Sequence, residues 1–355
     1  MKIAFHAPMK PPSDPVPSGD RRMARLLFAS LERAGGTPFI ASTLRTRDGR
    51  GDRDAQTRLL AAAETETARL IDSLAAQPPA LWFTYHCYYK APDLIGPAVS
   101  RAFRIPYAIA EASRAKKRLT GPWSRFARAA EAAIDAASTV FAMTPQDRFA
   151  LDRDRPAQQR IVDLPPFLEA MPPPVHRTAP RERPLRLLAV AMMRPGDKRA
   201  SYEALAAALA HLTLDWHLTI VGDGPERPAV EAAFAPFGAR IRFAGQVDDP
   251  AALHAHYAAA DLFVWPGIGE AWGMVYLEAQ ATGLPAIAED RPGPASVLAP
   301  GSRRVPQGEP PAFAAAIETL AAALPVDVRR HIEGRHDMDR AAAILAETLL
   351  IRQPA

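Results

Sequence analysis

The chain has 355 residues, 48% of them hydrophobic, which is a globular composition with enough apolar material for about two buried cores. Its single cysteine, Cys87, excludes an internal disulfide, no window resembles a membrane span, and a net charge of +4 alone points to no partner class. The opening MKIAFHAPMKPPSD lacks the apolar stretch of a signal peptide, so the cytoplasm is the expected compartment.

Apolar runs rich in branched or aromatic residues alternate with Ala/Leu helical patterns, the rhythm of βα units around a parallel sheet. Strands are predicted at Ile3 to Phe5, Pro38 to Ala41, Leu81 to Thr84, Tyr107 to Ala110 and Thr139 to Ala142, with helices near 20–34, 53–76, 123–137 and 146–152. The stretch MPPPVHRTAPRERP, residues 171–184, sustains neither a helix nor a central strand and reads as a linker. A second series follows, with strands at Arg186 to Ala191, Leu218 to Val221, Ile241 to Ala244, Leu262 to Trp265 and Pro285 to Ala288 and helices near 199–211, 226–236, 250–259 and 273–282. The expected organisation is a Rossmann-like domain at 1–172, a linker at 173–184, a second Rossmann-like domain at 185–336 and a final segment at 337–355.

The most informative string is GEAWGMVYLEAQATGLP, residues 269–285. Gly267, Gly269 and Gly273 keep Cβ atoms away from a loop that runs into a short helix, whose first amides, near Gly273 and Met274, lack intrahelical acceptors. Those amides can hold an anion such as a diphosphate, and the helix dipole adds ~0.3–1 kcal/mol. Glu270 sits in the loop; Glu278 lies inside the helix among apolar residues, where a carboxylate needs donors such as sugar hydroxyls, or a neighbouring arginine. Gly283 and Pro285 stop the helix.

This string resembles the signature of the retaining GT-B glycosyltransferases of family 4, the group 1 transferases: Glu, seven residues, Glu, with Trp272-Gly273-Met274 after the first glutamate and Glu278-Ala279-Gln280-Ala281-Thr282-Gly283-Leu284-Pro285 at the second. The resemblance implies an α/β GT-B fold, two doubly wound domains facing across a cleft, with the acceptor bound by the first, the donor by the second, and the last helix packed back on the first. It also implies that Glu270 faces donor-sugar hydroxyls, that Glu278 takes the ribose hydroxyls, and that Trp272 and the amides of Gly273 and Met274 line the donor site. Transfer would move a hexosyl group from a nucleoside diphosphate sugar to an acceptor hydroxyl with retention of configuration, without a metal or other cofactor.

Other strand ends add candidates. In AMMRPGDKRASYEAL, Arg194 and Lys198 could direct two positive charges at a diphosphate, the role of an Arg or Lys pair in the resembled family, and Arg199 could replace Lys198. The glycines of IVGDGPE free the backbone for close approach, and FAGQVDD places Gly245 and Val247 where family members hold the base. On the first domain, KPPSDPVPSGDRRMARLL sets Gly19 just before a helix beginning near Asp20, a second anion contact by the same resemblance.

Where the family often carries a histidine after its fourth strand, this chain reads YAIAEASRAKKR, with Glu111 at that place and His86, in LWFTYHCYYK, as the other acceptor-side candidate. The basic run Arg114, Lys116, Lys117 and Arg118, followed by Trp123 and Phe126, reads either as a solvated face or as a contact for an anionic acceptor or a phospholipid surface at the inner face of a membrane. Expected partners are thus a nucleotide sugar and an acceptor carbohydrate or lipid-linked glycan, with no nucleic acid. A non-catalytic sugar-nucleotide-binding protein is the alternative; an NAD dehydrogenase is disfavoured because no GxGxxG follows the first strand.

Overall fold

A computed structural model describes residues 1–16, 18–175 and 183–349. Contacts divide it into two compact units, residues 1–166 with 338–355, and residues 167–337. The boundary falls earlier than 172 because the 167–172 segment is tied to the second unit. There Leu168 N–H donates to His336 O at 2.8 Å, and the Arg329 guanidinium to Pro172 O at 2.8 Å. The expected linker at 173–184 lies largely outside the described residues.

The first unit runs β1 (Lys2–His6), α1 (Gly19–Arg33), β2 (Thr37–Ser42), α2 (Arg53–Leu74), β3 (Leu81–Cys87), α3 (Gly96–Phe103), β4 (Tyr107–Ala112), α4 (Ser124–Ala136), β5 (Thr139–Ala142), α5 (Pro145–Asp154) and β6 (Arg160–Asp163). All pairings are parallel, in the order β2-β1-β3-β4-β5-β6. Strands β3 and β4 are almost wholly buried, as near-continuous apolar strands covered on both faces must be. Phe5 stacks on Phe83 with centroids 5.8 Å apart, and Phe83 meets Phe141 at 6.1 Å, which joins three strands through one aromatic row.

The second unit runs β7 (Leu185–Val190), α6 (Asp197–Leu209), β8 (Trp216–Val221), α7 (Arg227–Phe234), β9 (Ile241–Gly245), α8 (Pro250–Ala259), β10 (Leu262–Val264), α9 (Met274–Ala281), β11 (Ala286–Glu289), α10 (Pro292–Ala295), β12 (Arg303–Val305), α11 (Pro310–Ala322) and α12 (Arg329–Ile332). Its sheet is parallel too, in the doubly wound order β12-β11-β10-β7-β8-β9. The last helix, α13 (Met338–Leu349), packs on α1 in the first unit, where Arg33 pairs with Asp339. No described helix is long and apolar enough to cross a membrane.

All predicted strands form, but the sequence reading assigns nothing to β6, β12, α3 or α10–α12. The edge strands β6 and β12 are short and mostly exposed, so neither carries an apolar run. Helix α7 ends at Phe234, short of the expected 236, because Pro236 and Gly238 convert the next turn to a kinked 3-10 segment.

Chain reversal in each sheet positions the candidate residues. In the first, the chain moves from β1 out to β2 and returns to β3 on the other side; in the second, β7 and β10 are the neighbours at which the order reverses. Loops leaving the carboxyl ends of such strands diverge and leave a crevice for ligands. These loops and the strand and helix ends flanking them hold Gly19 and His86 in one unit, and Arg194, Lys198 and Glu270 in the other.

Candidate functional site

In the second unit, β7 leaves the sheet through residues 191–196 and β10 through residues 265–273. Side chains bridge these two loops. Lys198, in the first turn of α6, forms an ion pair with Glu270 Oε1, and the same oxygen accepts from Trp265 Nε1–H at 2.9 Å. The Lys198 ammonium also lies 5.7 Å from the centre of the Trp265 ring. Ser201, one turn further along α6, accepts at 3.0 Å from the Ile268 amide. Neither Trp265 nor Ser201 stands out in the sequence, because their role depends on α6 meeting a loop 67 residues away.

The glycines permit this approach. At Gly269, with φ of 65°, an added Cβ would lie 2.1 Å from Asp197 Oδ2, and at Gly273, with φ of 75°, 2.4 Å from Tyr276 Cδ2. Gly273 is the residue before α9 and no side chain caps that helix; the Tyr276 amide bonds back to Gly273 O at 2.9 Å, ahead of which lie the amides of Met274 and Val275. The other end of α9 closes by a left-handed Gly283: Gly283 N–H donates to Gln280 O at 2.9 Å and Leu284 N–H to Ala279 O at 3.0 Å. Tyr276 anchors the helix to the sheet by donating to Trp265 O at 2.8 Å.

Glu278 is only half-buried, not enclosed among apolar residues as its neighbours suggest. Tyr257, on α8, donates to its Oε2 at 2.7 Å. Trp272 is buried, and Met274 half-buried at the start of α9. Arg194 is half-buried in the β7 loop, where its carbonyl accepts from Arg199 N–H at 3.1 Å. Arg199 pairs with Glu203 at 2.8 Å and with Glu226 at 3.2 Å. The IVGDGPE turn is stitched to the same loop: Met193 N–H donates to Asp223 O at 2.9 Å and Gly222 N–H to Gly245 O at 2.7 Å. Gly245 and Val247 therefore sit at the next strand end, both half-buried.

The first unit assembles a second polar cluster. Asp20, in the first turn of α1, His86, at the end of β3, and Glu111, at the end of β4, converge: His86 Nδ1 is 3.0 Å from Asp20 Oδ1 and 3.6 Å from Glu111 Oε2. His86 and Glu111 have φ of 64° and 59°, a left-handed conformation that costs a side-chain-bearing residue about 1–3 kcal/mol. Burial opposes the charged imidazole, but Glu111's charge and the Asp20 hydrogen bond outweigh it and raise His86 from 6.5 to about 9. Burial drives the Glu111 carboxyl up to about 7, against the His86 charge. Asp20 falls below its usual value despite its burial because His86 bonds to it. Gly19 is exposed at the first position of α1, and a Cβ there would touch nothing within 4 Å; Ser18 caps the helix by accepting from Arg21 N–H at 3.2 Å.

The basic run does not form one positive face. Arg114 is buried between Glu131 at 2.5 Å and Asp135 at 2.6 Å, Lys116 pairs with Asp154 at 2.8 Å, and Phe126 belongs to the core. Helices α4 and α5 bring in those acids from outside the run, so a local count of basic residues overstates its charge.

Residues 184–323 match the family model described as Glycosyl transferases group 1. The chain is 32% identical over 152 residues to a GDP-mannose-dependent alpha-(1-6)-phosphatidylinositol dimannoside mannosyltransferase of Mycobacterium tuberculosis, covering 42% of this chain and 39% of that one. It is 30% identical over 186 residues to the lipopolysaccharide core biosynthesis glycosyltransferase LpsD of Rhizobium meliloti, covering 51% of this chain and 53% of the relative. The matches thus span about two fifths to one half of these relatives' lengths. The fold is shared over nearly the whole chain with the sucrose-phosphate synthase of Thermosynechococcus elongatus, at a TM-score of 0.72, 20% identity and 98% coverage of both chains. It is shared likewise with Anabaena HepE in complex with UDP, at a TM-score of 0.72, 17% identity and coverage of 99% and 100%. The likeness to the group 1 glycosyltransferases thus lies in residues 184–323, and the architecture is the GT-B fold.

Proposed function

We propose that the protein transfers a hexosyl group from a nucleoside diphosphate sugar to an acceptor hydroxyl, with the anomeric configuration retained. The observation that carries this reading is the Lys198–Glu270 pair joining the β7 and β10 loops ahead of the uncapped start of α9. It brings a cation and a carboxylate to the same end of the sheet as helix amides that no side chain caps, the combination that a charged diphosphate carrying a polyhydroxyl sugar requires.

In this account the diphosphate sits against the α9 amides near Gly273 and Met274, with Arg194 and Lys198 neutralising charge as the bond to the sugar breaks. A lysine ammonium has three hydrogens, so Lys198 can keep its bond to Glu270 while donating another to a phosphate oxygen. Glu270 then orients sugar hydroxyls, Trp272 supports the loop, and Glu278, steadied by Tyr257, accepts from ribose hydroxyls. Gly245 and Val247 border the base. Preorganised donors of this kind stabilise the departing diphosphate without a separate reorganisation step.

The acceptor belongs to the first unit, at Asp20, His86 and Glu111, with Gly19 opening the start of α1. Glu111 takes the place of the family's histidine and can receive an acceptor hydroxyl's hydrogen bond. Acceptors of carbohydrate or lipid-linked glycan type fit this reading, as does action in the cytoplasm or at the inner face of a membrane. The names of the mannosyltransferase relatives, which include phosphatidylinositol-linked acceptors, support it.

Incubation of the purified protein with UDP, GDP and ADP sugars and a panel of glycan acceptors tests the reading. Proton NMR of the product should show a new glycosidic bond of the donor's own anomeric configuration. An inverted linkage would refute retention, and nucleotide-sugar binding without transfer or donor hydrolysis would favour a binding protein instead.

A further inference from the structure

Four aromatic rings lead away from the Asp20–His86–Glu111 cluster in unbroken contact. The His86 ring lies 4.8 Å from Tyr88, Tyr88 lies 5.5 Å from Tyr89, and Tyr89 lies 5.7 Å from Trp123. All four residues are half-buried, so each keeps part of its surface open. The outer two rings carry two cations. Arg118 lies 5.2 Å from the Tyr89 ring and 5.3 Å from that of Trp123, and Lys90 lies 5.6 Å from each.

What sets these cations apart is their lack of acids. Arg114 and Lys116, their sequence neighbours, are paired with Glu131, Asp135 and Asp154, whereas no described carboxylate forms an ion pair with Arg118 or Lys90. Arg118 Nε is buried and donates to no group among the described residues. Asp48 is the acid beneath the rings, but its oxygens are taken by the amides of Arg50 and Gly51 and by Gln56. Asp48 instead fixes the platform through its backbone, its carbonyl accepting from Trp123 Nε1–H at 3.1 Å and its N–H donating to Lys90 O at 2.8 Å. Trp123 also precedes α4, a 13-residue helix without a side-chain cap, so the positive end of that helix faces the same place.

Two unpaired cations and a helix start, held on aromatic rings, form a site for an anion attached to a flat apolar face. A saccharide has that chemistry: the C–H face of the ring packs on an aromatic surface, and a carboxylate or phosphate substituent meets the guanidinium. We propose that the Tyr89–Trp123 platform with Arg118 and Lys90 is the subsite that recognises an anionic sugar residue of the acceptor, whose chain runs along Tyr88 toward His86 and Glu111. A bare membrane surface fits less well. The large hydrophobic side chains exposed among the described residues, Met1, Val16, Ile40 and Phe149, are elsewhere, and the Trp123 indole is tied inward. This inference rests on the transferase reading, and supplies its acceptor class.

The test measures binding of the 355-residue chain to matched oligosaccharides that are neutral, uronate-bearing or phosphate-bearing, and to vesicles containing anionic phospholipid. Anionic glycans should bind at least about tenfold more tightly than neutral ones, the value of one charge-assisted contact. Arg118→Gln and Lys90→Gln should each remove most of that preference. Arg118→Lys should retain part of it, and Lys117→Gln, an exposed control, should change nothing. Equal affinity for neutral and anionic glycans overturns the proposal, as does an Arg118→Gln variant that is folded by circular dichroism and keeps the preference. Vesicle binding that depends on Arg118 while anionic glycans fail overturns it in favour of a membrane contact. Nucleoside diphosphate binding is followed in the same samples: if it persists while anionic glycans fail, only this inference falls, whereas its loss in the unaltered protein refutes the transferase reading.

Discussion

His86 and Glu111 lie on adjacent strands at the carboxyl edge of the first sheet, both in left-handed backbone conformations, with Nδ1 and Oε2 3.6 Å apart. Two strained residues facing each other are kept in place by their neighbours rather than by local preference, and such strain gathers at functional sites. Asp20 reaches the same imidazole from α1.

The first prediction concerns protonation. His86 should titrate near pH 9 by NMR rather than near its ordinary 6.5. A raised folded-state value favours the charged imidazole, so its stabilising contribution is complete below about pH 6.5 and is lost as pH rises through 9. Glu111, raised to about 7, adds in the same direction, its contribution falling away between its ordinary 4.5 and 7. Thermal stability should therefore decline from neutral toward alkaline pH, and Glu111→Gln should bring the His86 midpoint down. A His86 midpoint unmoved by Glu111→Gln would contradict the coupling.

The second concerns Asp93, buried at the start of α3. It accepts from the amides of Ile95 and Gly96 at 3.0 and 2.9 Å and from the Thr84 and Tyr107 hydroxyls at 2.5 and 2.8 Å, with His6 Nδ1 at 3.3 Å. Burial works to raise its carboxyl, but His6 and these donors hold it well below the usual range. Its stabilising effect is thus present above about pH 4 and lost as pH falls. Asp93→Ala leaves several buried donors unmet and should cost about 3–5 kcal/mol in urea unfolding at neutral pH, with the loss shrinking in acid.

A third prediction addresses the α9 loop. Gly273→Ala forces a Cβ into the buried Tyr276 ring at a left-handed position, and should cost on the order of 2 kcal/mol or more in stability. Gly19→Ala meets nothing and should leave the melting temperature within about a degree or two, as surface substitutions usually do. Differential scanning calorimetry of the two variants checks the contrast.

The fourth turns on Tyr257. Tyr257→Phe removes its hydrogen bond to Glu278 while keeping the ring, so nucleoside diphosphate affinity should fall only about three- to tenfold, a loss of roughly 0.5–1.5 kcal/mol. Glu278→Ala should lose more. Calorimetric titration of both variants ranks them, and equal affinity for all three proteins would remove Glu278 from the ribose.

The candidate residues of the second unit were legible in the sequence because their information is local. Glu270, Gly273, Glu278 and Gly283 fall within one short string, and the helix stop is written in consecutive residues. Lys198 was legible from its place after a strand, though its ion pair with Glu270 was not. The first-unit cluster was only half visible: His86 and Glu111 could be named, but Asp20 lies 66 residues from His86 and joins it only where the start of α1 meets the end of β3. Left-handed backbone at a histidine and a glutamate has no sequence signal at all. The charge of the basic run was not legible locally, because Glu131, Asp135 and Asp154 pair with Arg114 and Lys116 from other helices, while Lys90, which completes the aromatic platform, lies outside the run.

Most direct for the central claim is isothermal titration of nucleoside diphosphate sugars into the unaltered protein, Lys198→Ala and Glu270→Gln, followed by turnover with the sugar that binds. The account predicts binding weakened about tenfold or more by Lys198→Ala, and turnover lowered about a hundredfold or more by Glu270→Gln with the fold intact. Unchanged affinity in the first variant together with full turnover in the second would contradict it.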